Sequence, residues 1–345
     1  MEPSLSLAQT VPAELLSQIF KLSLPSQSEV LGRVCATWRT IALDMPSFWT
    51  SLVLAIPWAP NLSSPYTSSL SRSFSSYLVR EHLARSGNQL LSIVFTSQEE
   101  APARTTRILF RLISSVSARW EALELDVCVP LAVGQLREKF PLLRRLYLWG
   151  YRQSRHDWQQ LIEHKTVYED RFVLSCLEAF SLTVQPCDDD IIANSECLDS
   201  LLLPALTDLY IEDYTPNFSS LFVSLLGRSG CSLKRLWVCT VLTADAFATM
   251  AELNPHLEEL GLIAIAPDCI MQKLSITLGL HPFLPELSAL HIIALNVYFI
   301  LLLDMLESRR RYDSSLTTVS IPAPYDRALK GRLDALEAGG WTSKR

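Results

Sequence analysis

The chain has 345 residues, of which 49% are apolar and 19% are charged, and its formal net charge is −6. An apolar fraction this high excludes a disordered chain and allows one large domain or two modest ones. Nucleic-acid-binding proteins normally carry a basic excess or a dense basic stripe, and this chain has neither. The short run Arg309-Arg310-Arg311 falls at a predicted helix end, where we expect it to be solvated.

The cysteines and the apolar runs indicate the compartment. The eight cysteines form no Cys-x-x-Cys pair, and no histidines stand beside them at zinc spacing. We therefore expect free thiols rather than disulfides or a metal site. Residues 1–10 lack the basic start and apolar core of a secretory signal. The most apolar run, 292–306, is interrupted by Asn296 and Asp304 and is shorter than the ~20 residues of a membrane helix. These features predict a protein of the cytoplasm or nucleus, with no membrane partner.

Residues 11–54 predict two or three short helices. The first begins near Ala13 and ends before Pro25. A capping-box pair, Ser26 and Glu29, predicts the start of a second helix that ends before the next proline. The second helix carries Val30, Leu31, Val34, Cys35, Trp38, Ile41 and Ala42. About 45 residues cannot bury all of these apolar side chains in a core of their own, so the surplus predicts a partner surface.

Three segments of this region resemble the F-box, in the variant abundant in mushroom-type fungi. They are VPAELLSQIF at 11–20, VCATWRTIAL at 34–43 and MPSFWTSLVL at 45–54. The chain departs from the family pattern at Val11, where leucine is usual, and at Ala36-Thr37, where a basic residue is more common. The resemblance implies a small helical domain, here residues 1–54, that docks to the Skp-type adaptor of a cullin–RING ubiquitin ligase. The residues that it implies face the adaptor are Pro12, Leu16, Ile19, Phe20, Val34, Cys35, Trp38 and Leu43.

Residues 55–87 are predicted to connect this domain to the rest of the chain. Residues 57–76 are rich in serine, proline and asparagine, which is typical of a surface loop. Residues 77–85 then form a short amphipathic helix, and Gly87 stands where a glycine usually ends a helix.

The pattern apolar-x-x-apolar-x-apolar occurs ten times, at intervals of 23 to 41 residues. The ten units are Trp49-Leu52-Leu54, Leu90-Ile93-Phe95, Trp120-Leu123-Leu125, Leu143-Leu146-Leu148, Leu177-Phe180-Leu182, Leu206-Leu209-Ile211, Leu233-Leu236-Val238, Leu257-Leu260-Leu262, Leu287-Leu290-Ile292 and Leu316-Val319-Ile321. Each predicts a short strand. Four units have a proline two residues ahead, which suits a strand start because proline gives no ladder donor.

These units resemble irregular leucine-rich repeats, over residues 88–322. Returning helices are predicted at 161–162, 218–223, 246–250 and 298–306. The resemblance implies an α/β fold in which a small helical F-box is followed by a leucine-rich-repeat solenoid. Most units lack the consensus asparagine, and an ordinary α/β domain with similar strands stays open as an alternative. Residues 323–345 are predicted to be a capping helix followed by a loose tail from Trp341.

In such a solenoid the leucines point inward, and the residues between them line one face of the sheet. The position between the last two apolar sites of each unit brings Tyr147, Tyr210 and Trp237 into one column. Exposed aromatic residues and arginines most often anchor protein interfaces. The predicted target-binding residues are Arg145, Tyr147, Trp149, Tyr210, Glu212, Arg235 and Trp237. The pattern leaves open that these aromatic residues only pack the strand face beneath loops.

No catalytic motif is found in the sequence. Residues 227–230 lack the Lys-Ser/Thr pair of a phosphate-binding loop, and no Gly-x-Ser-x-Gly elbow occurs. The acidic run Asp188-Asp189-Asp190 has no second acidic or histidine cluster at metal-binding spacing. We therefore expect no catalytic residue, no metal and no cofactor.

The two resemblances together imply a non-catalytic subunit of a cullin–RING (SCF-type) ubiquitin ligase. It would bind the Skp-type adaptor, and through it a cullin, with the F-box, and an unknown protein substrate with the repeats. Two alternatives stay open. One is a Skp-binding scaffold outside any ligase, and the other is a plain leucine-rich-repeat protein-binding module.

Overall fold

Two units make up the chain in the computed structural model, Met1–Leu143 and Arg144–Arg345. The structure describes residues 11–22, 34–56, 76–97, 103–126, 140–151, 172–185, 198–199, 201–213, 218–240, 242–263, 268–275, 283–293, 299–311, 315–320, 327–338 and 342–344. The capping box at Ser26 and Glu29, the predicted helix at 161–162 and the acidic run at 188–190 lie outside these ranges.

The first unit opens with helices α1 (Ala13–Leu22) and α2 (Ala36–Leu43) and the 3-10 helix Pro46–Trp49. The predicted start of the first helix near Ala13 is confirmed. Its predicted end at Pro25 lies outside the described residues. The predicted second helix is wrong at Val34 and Cys35, because Val34 lies in a turn and Cys35 is extended, with φ −158°. Valine and cysteine are weak helix formers, so the chain turns here and α2 begins one residue later.

The described part of the first unit continues with three strands. Its strands are β1 (Ser51–Ile56), β2 (Leu91–Ser97) and β3 (Trp120–Asp126). Both strand pairs, β1 with β2 and β2 with β3, are parallel. The connections that parallel pairing requires carry helices α3 (Ser76–Arg85) and α4 (Ala103–Ser114), the second followed by the 3-10 helix Ser117–Arg119. The predicted end of α3 is confirmed, since Gly87 adopts φ +55° just beyond it.

In the described part of the second unit, eight strands pair in parallel, each with the next in this series. They are β4 (Arg145–Tyr151), β6 (Ala179–Gln185), β8 (Asp208–Asp213), β9 (Arg235–Cys239), β10 (Glu259–Ile263), β11 (Ala289–Ile293), β12 (Thr318–Ser320) and β13 (Thr342–Lys344). Two short strands, β5 (Phe172–Val173) and β7 (Leu201–Leu202), form a separate parallel pair. The predicted loose tail is wrong, because β13 pairs with β12 and satisfies the backbone of that strand.

Helices connect the later strands of the second unit. They are α5 (Phe218–Ser229), α6 (Ala244–Leu253), α7 (Asp268–Leu274), α8 (Phe299–Arg311) and α9 (Arg327–Ala338). The helices predicted at 218–223, 246–250 and 298–306, and the helical part of 323–345, are confirmed as elements. The solvated end predicted for α8 is wrong at Arg309. Its side chain is fully buried and donates to backbone carbonyls of Leu274 and Leu284 at 2.9 and 3.3 Å.

The strand register follows the sequence pattern. Leu209 pairs with Phe180 on one side and Leu236 on the other, and Leu260 continues the row to Leu290. These side chains are buried and form the core behind the sheet. One apolar position of the repeat pattern was assigned to the wrong residue. Leu90 is 41% exposed and Leu91 is buried instead, where the register between β2 and β3 shifts by one residue.

The same turn precedes several of the strands. In five units the backbone N–H of the first apolar residue donates to the carbonyl three residues earlier, at 3.2–3.3 Å. These donors are Leu143, Leu177, Leu206, Leu257 and Leu287. The prolines ahead of four units occupy the second position of this turn, where their fixed φ suits a β-turn. They therefore belong to the turn rather than to the strand that follows it.

Candidate functional site

The helices at the start of the first unit enclose a small aromatic core. Leu16, Phe20, Ala42 and Phe48 are buried together. The Phe20 ring meets Trp38 and Phe48 edge-on, with centroids 5.0 and 5.8 Å apart. Trp49 closes this core, because its indole Nε1 donates to the carbonyl of Ala42 at 3.2 Å. Among the described residues, α1, α2 and the 3-10 helix thus share one core.

Large apolar side chains remain exposed outside that core. Leu15 and Ile19, one turn apart on α1, are each 50% exposed, and Val34 is 49% exposed. In α1, residues 15 and 19 point to one face and residues 16 and 20 to a second, because residues four apart share a face. We call Leu15, Ile19 and Val34 the exposed apolar set. An apolar surface left over by a filled core is typical of a partner-binding site.

Trp49 also ties the helical start to α3. The His82 ring packs edge-on against Trp49 at 5.2 Å, and the Arg85 guanidinium lies over the indole, 4.9 Å from the ring centroid. Burial lowers the pKa of His82. Backbone groups of Trp49 and Ser51 oppose that shift, and the charge of Arg85 adds to it. His82 therefore favours its neutral form in this packed position.

The face of the sheet in the second unit carries a row of residues in register. Tyr147, Ser181, Tyr210, Trp237, Gly261, His291 and Ser320 lie side by side on successive strands from β4 to β12. The flanking row, toward the start of the strands, runs Arg145, Ala179, Asp208, Arg235, Glu259, Ala289 and Thr318. The predicted column of aromatic residues is thus present as a register row.

Trp237 is held in one orientation by three neighbours on β10 and β11. Its indole Nε1 donates to Glu259 Oε1 at 2.9 Å. Its ring stacks on the His291 imidazole, with centroids 4.7 Å apart and planes 23° apart. A Cβ built at Gly261 would overlap the indole ring, so Trp237 lies over the backbone of β10 in space that only glycine leaves open.

Asp208 and Arg235 form an ion pair on adjacent strands, beside Tyr210. Burial alone would raise the pKa of Asp208. Hydrogen bonds from Arg235 and Thr207, together with the charge of Arg235, lower it overall. The Tyr210 hydroxyl donates to Glu212 Oε2 at 3.2 Å. Burial and the neighbouring Glu212 carboxylate raise the pKa of Tyr210 to about 12, so the phenol stays protonated at neutral pH.

Comparison with known proteins assigns the start of the chain. Residues 8–55 match the F-box-like family model. This F-box-like region covers α1, α2, the 3-10 helix Pro46–Trp49 and most of β1. No curated protein matched the chain.

Within the F-box-like region, the predicted adaptor-facing residues fall into three groups. Pro12, Ile19 and Val34 are exposed, while Cys35, Trp38 and Leu43 are half-buried. Leu16 and Phe20 are buried in the aromatic core, 1% and 0% exposed, so in this structure they orient α1 rather than offer a surface. Sequence reasoning missed Leu15, although its spacing of four residues from Ile19 is the signal that places both on one face.

Of the seven predicted target-binding residues, the structure brings four together. Tyr210 and Glu212 lie on β8, directly beside Arg235 and Trp237 on β9. The other three, Arg145, Tyr147 and Trp149, lie on β4, two strand spacings or about 10 Å from β8. Small residues of β6, Ala179 and Ser181, occupy the strand between. The residues missing from the prediction are Asp208, Glu259, Gly261 and His291, although they stand at the equivalent repeat positions.

Three further features bear on function. No group of three or more His, Cys, Asp or Glu side chains is placed to hold a metal ion among the residues that the structure describes. In that same part of the chain, no helix is both long enough and apolar enough to span a bilayer. Cys35, Cys176, Cys231 and Cys239 form no disulfide.

Proposed function

We propose that this chain is the substrate-recognition subunit of a cullin–RING, SCF-type ubiquitin ligase. Its F-box-like region would bind a Skp-type adaptor and, through it, a cullin. The strand face of the second unit would bind the target protein. The observation that carries the proposal is the exposed apolar set, which lies beside a filled core in the region that matches the F-box-like family.

The exposed apolar set supports adaptor binding on energetic grounds. Leu15 and Ile19 are each half exposed, although a fully buried side chain of this size contributes roughly 1.5–3 kcal/mol. Covering the remaining half of each would therefore stabilise a complex by about 1 kcal/mol per side chain. Leu16 and Phe20 support the same surface indirectly, because their packing holds α1 in the orientation that presents Ile19.

The recurring geometry supports irregular leucine-rich repeats as the target-binding part. The leucine register and the turn ahead of the strands recur from unit to unit. At two places, the end of a helix also bonds back to the backbone just ahead of the strand that precedes that helix. Asn254 Oδ1 accepts from the Leu233 N–H at 2.9 Å, and Ser229 Oγ accepts from the Leu203 N–H at 3.1 Å. Such nearest-neighbour contacts are what hold stacked repeats together.

In this role the chain performs no chemistry and needs no cofactor or metal. It would hold the target beside the ubiquitin-loaded conjugating enzyme and so raise the local concentration of the reacting groups. The expected compartment is the cytoplasm or nucleus, where such ligases act.

Co-purification of the tagged chain tests this function. We expect a Skp-type adaptor and a cullin to be recovered together. The double variant Tyr210→Ala/Trp237→Ala should lose most of the target protein, because it removes the aromatic anchors of the strand face, but should keep the adaptor. Adaptor without cullin would indicate a scaffold outside the ligase. Absence of both would indicate a plain protein-binding module and contradict the proposal.

A further inference from the structure

The charge balance around Trp237 is acidic. The Trp237 patch comprises Asp208, Tyr210, Glu212, Arg235, Trp237 and Glu259, on the adjacent strands β8, β9 and β10. Its three carboxylates face a single guanidinium, which leaves two negative charges. Arg235 is already engaged by Asp208, and Glu259 also raises its pKa. The guanidinium of Arg235 is therefore already paired within the patch, through its Nε.

The other two carboxylates are held by neutral donors. Glu212 accepts the Tyr210 hydroxyl at 3.2 Å, and the pKa of Tyr210, about 12, keeps that phenol uncharged. Glu259 accepts the indole N–H of Trp237 at 2.9 Å. The His291 Nε2 lies 3.6 Å from Glu259 Oε1. Lys234, whose charge also acts on Asp208, is paired with Glu258 at 3.3 Å. These hydrogen bonds position both carboxylates without neutralising them.

The aromatic rings suit the same kind of ligand. Trp237 leans over Gly261 toward His291, and Tyr210 stands beside it on the neighbouring strand. The charged group of a lysine or arginine is attracted both to an aromatic face and to a carboxylate. Its aliphatic stem can pack on the ring while the charged group stays hydrated. An acidic side chain would meet two uncompensated carboxylates at the same place and be repelled.

We propose that the Trp237 patch binds a basic segment of the target protein and receives a lysine or arginine side chain between its aromatic rings and carboxylates. The proposal rests on the proposed function, since it names the chemistry of the target at the strand face. Arg235 is among the residues predicted from sequence to bind the target, and in the structure it is paired with Asp208 within the patch.

Fluorescence anisotropy with two short labelled peptides tests the proposal on the full chain. The peptides share one Gly-Ser-Leu framework and carry arginines or glutamates at the same positions. We expect the arginine peptide to bind and the glutamate peptide not to bind, with affinity falling as salt is added. Glu212→Gln/Glu259→Gln should raise the Kd for the arginine peptide by about tenfold, as expected for a central charged contact.

The control is Glu252→Gln, an exposed glutamate on α6 outside the patch, which makes the same type of substitution at one site and should leave the Kd within about twofold. Equal binding of both peptides, no binding of the arginine peptide, or an unchanged Kd in the double variant would each overturn the proposal. If the adaptor and cullin still co-purify in that case, only the basic-ligand inference fails and the proposed function stands.

Discussion

At the scale of single residues, burial and packing decide roles that sequence patterns only outline. Leu16 and Leu15 are neighbours of the same type, yet one is 1% exposed and the other 50% exposed. Arg309 belongs to a run of arginines that sequence reasoning assigns to solvent, yet it is buried and bonded to carbonyls of the chain. A hydrophobicity pattern gives the average tendency of a residue type to be buried or exposed. The contacts that change this tendency for one residue are made by distant parts of the chain.

Gly261 provides a test at this scale. In Gly261→Ala the added Cβ would overlap the indole of Trp237, so the ring must leave its place over β10. We expect a loss of about 1–3 kcal/mol in the free energy of unfolding, as overpacking usually costs. Urea denaturation followed by fluorescence measures it.

Gly331→Ala is the matched control for this substitution. Gly331 lies within α9 with nothing near the added Cβ, so alanine should stabilise the helix by up to about 1 kcal/mol. Equal effects of the two substitutions would contradict the packing described for Trp237.

At the scale of elements, the repeat pattern predicted the strands and their register because both follow from one cause. Apolar residues at alternate strand positions must face the same core, so aligning the patterns aligns the strands. Features outside that pattern were not predictable in the same way. Three features depend on neighbouring residues rather than on periodicity. They are the extended backbone at Cys35 before α2, the burial of Leu91 in place of Leu90, and the pairing of β13 with β12.

The contact between Trp49 and α3 predicts a pH dependence. Burial lowers the pKa of His82 below its ordinary 6.5, so on acidification the unfolded chain takes up this proton before the folded chain does. Stability should therefore fall as the pH drops below about 6.5. In His82→Phe the ring packing is kept and this part of the decline should disappear. Thermal unfolding at a series of pH values measures it, and an unchanged decline in the variant would assign the acid sensitivity to other groups.

At the scale of the whole molecule, the proposal assigns different tasks to two surfaces. The F-box-like region offers the exposed apolar set, and the second unit offers an aromatic and acidic strand face. The sequence predicted both regions but not their chemistry. From sequence, Leu16 and Phe20 were predicted to face the adaptor together with Ile19. On the strand face, the pairing of Arg235 with Asp208 appears only once β8 and β9 are side by side.

The most direct test of the central claim is the affinity of the purified full chain for a purified Skp-type adaptor, measured by titration calorimetry. Leu15→Asp/Ile19→Asp should weaken binding by at least about a hundredfold, because it places two charges in an apolar interface. Ile300→Asp, an equally exposed apolar residue on α8, should leave the affinity unchanged. Wild-type binding that the double variant retains, or no adaptor binding by the wild-type chain, would contradict the account.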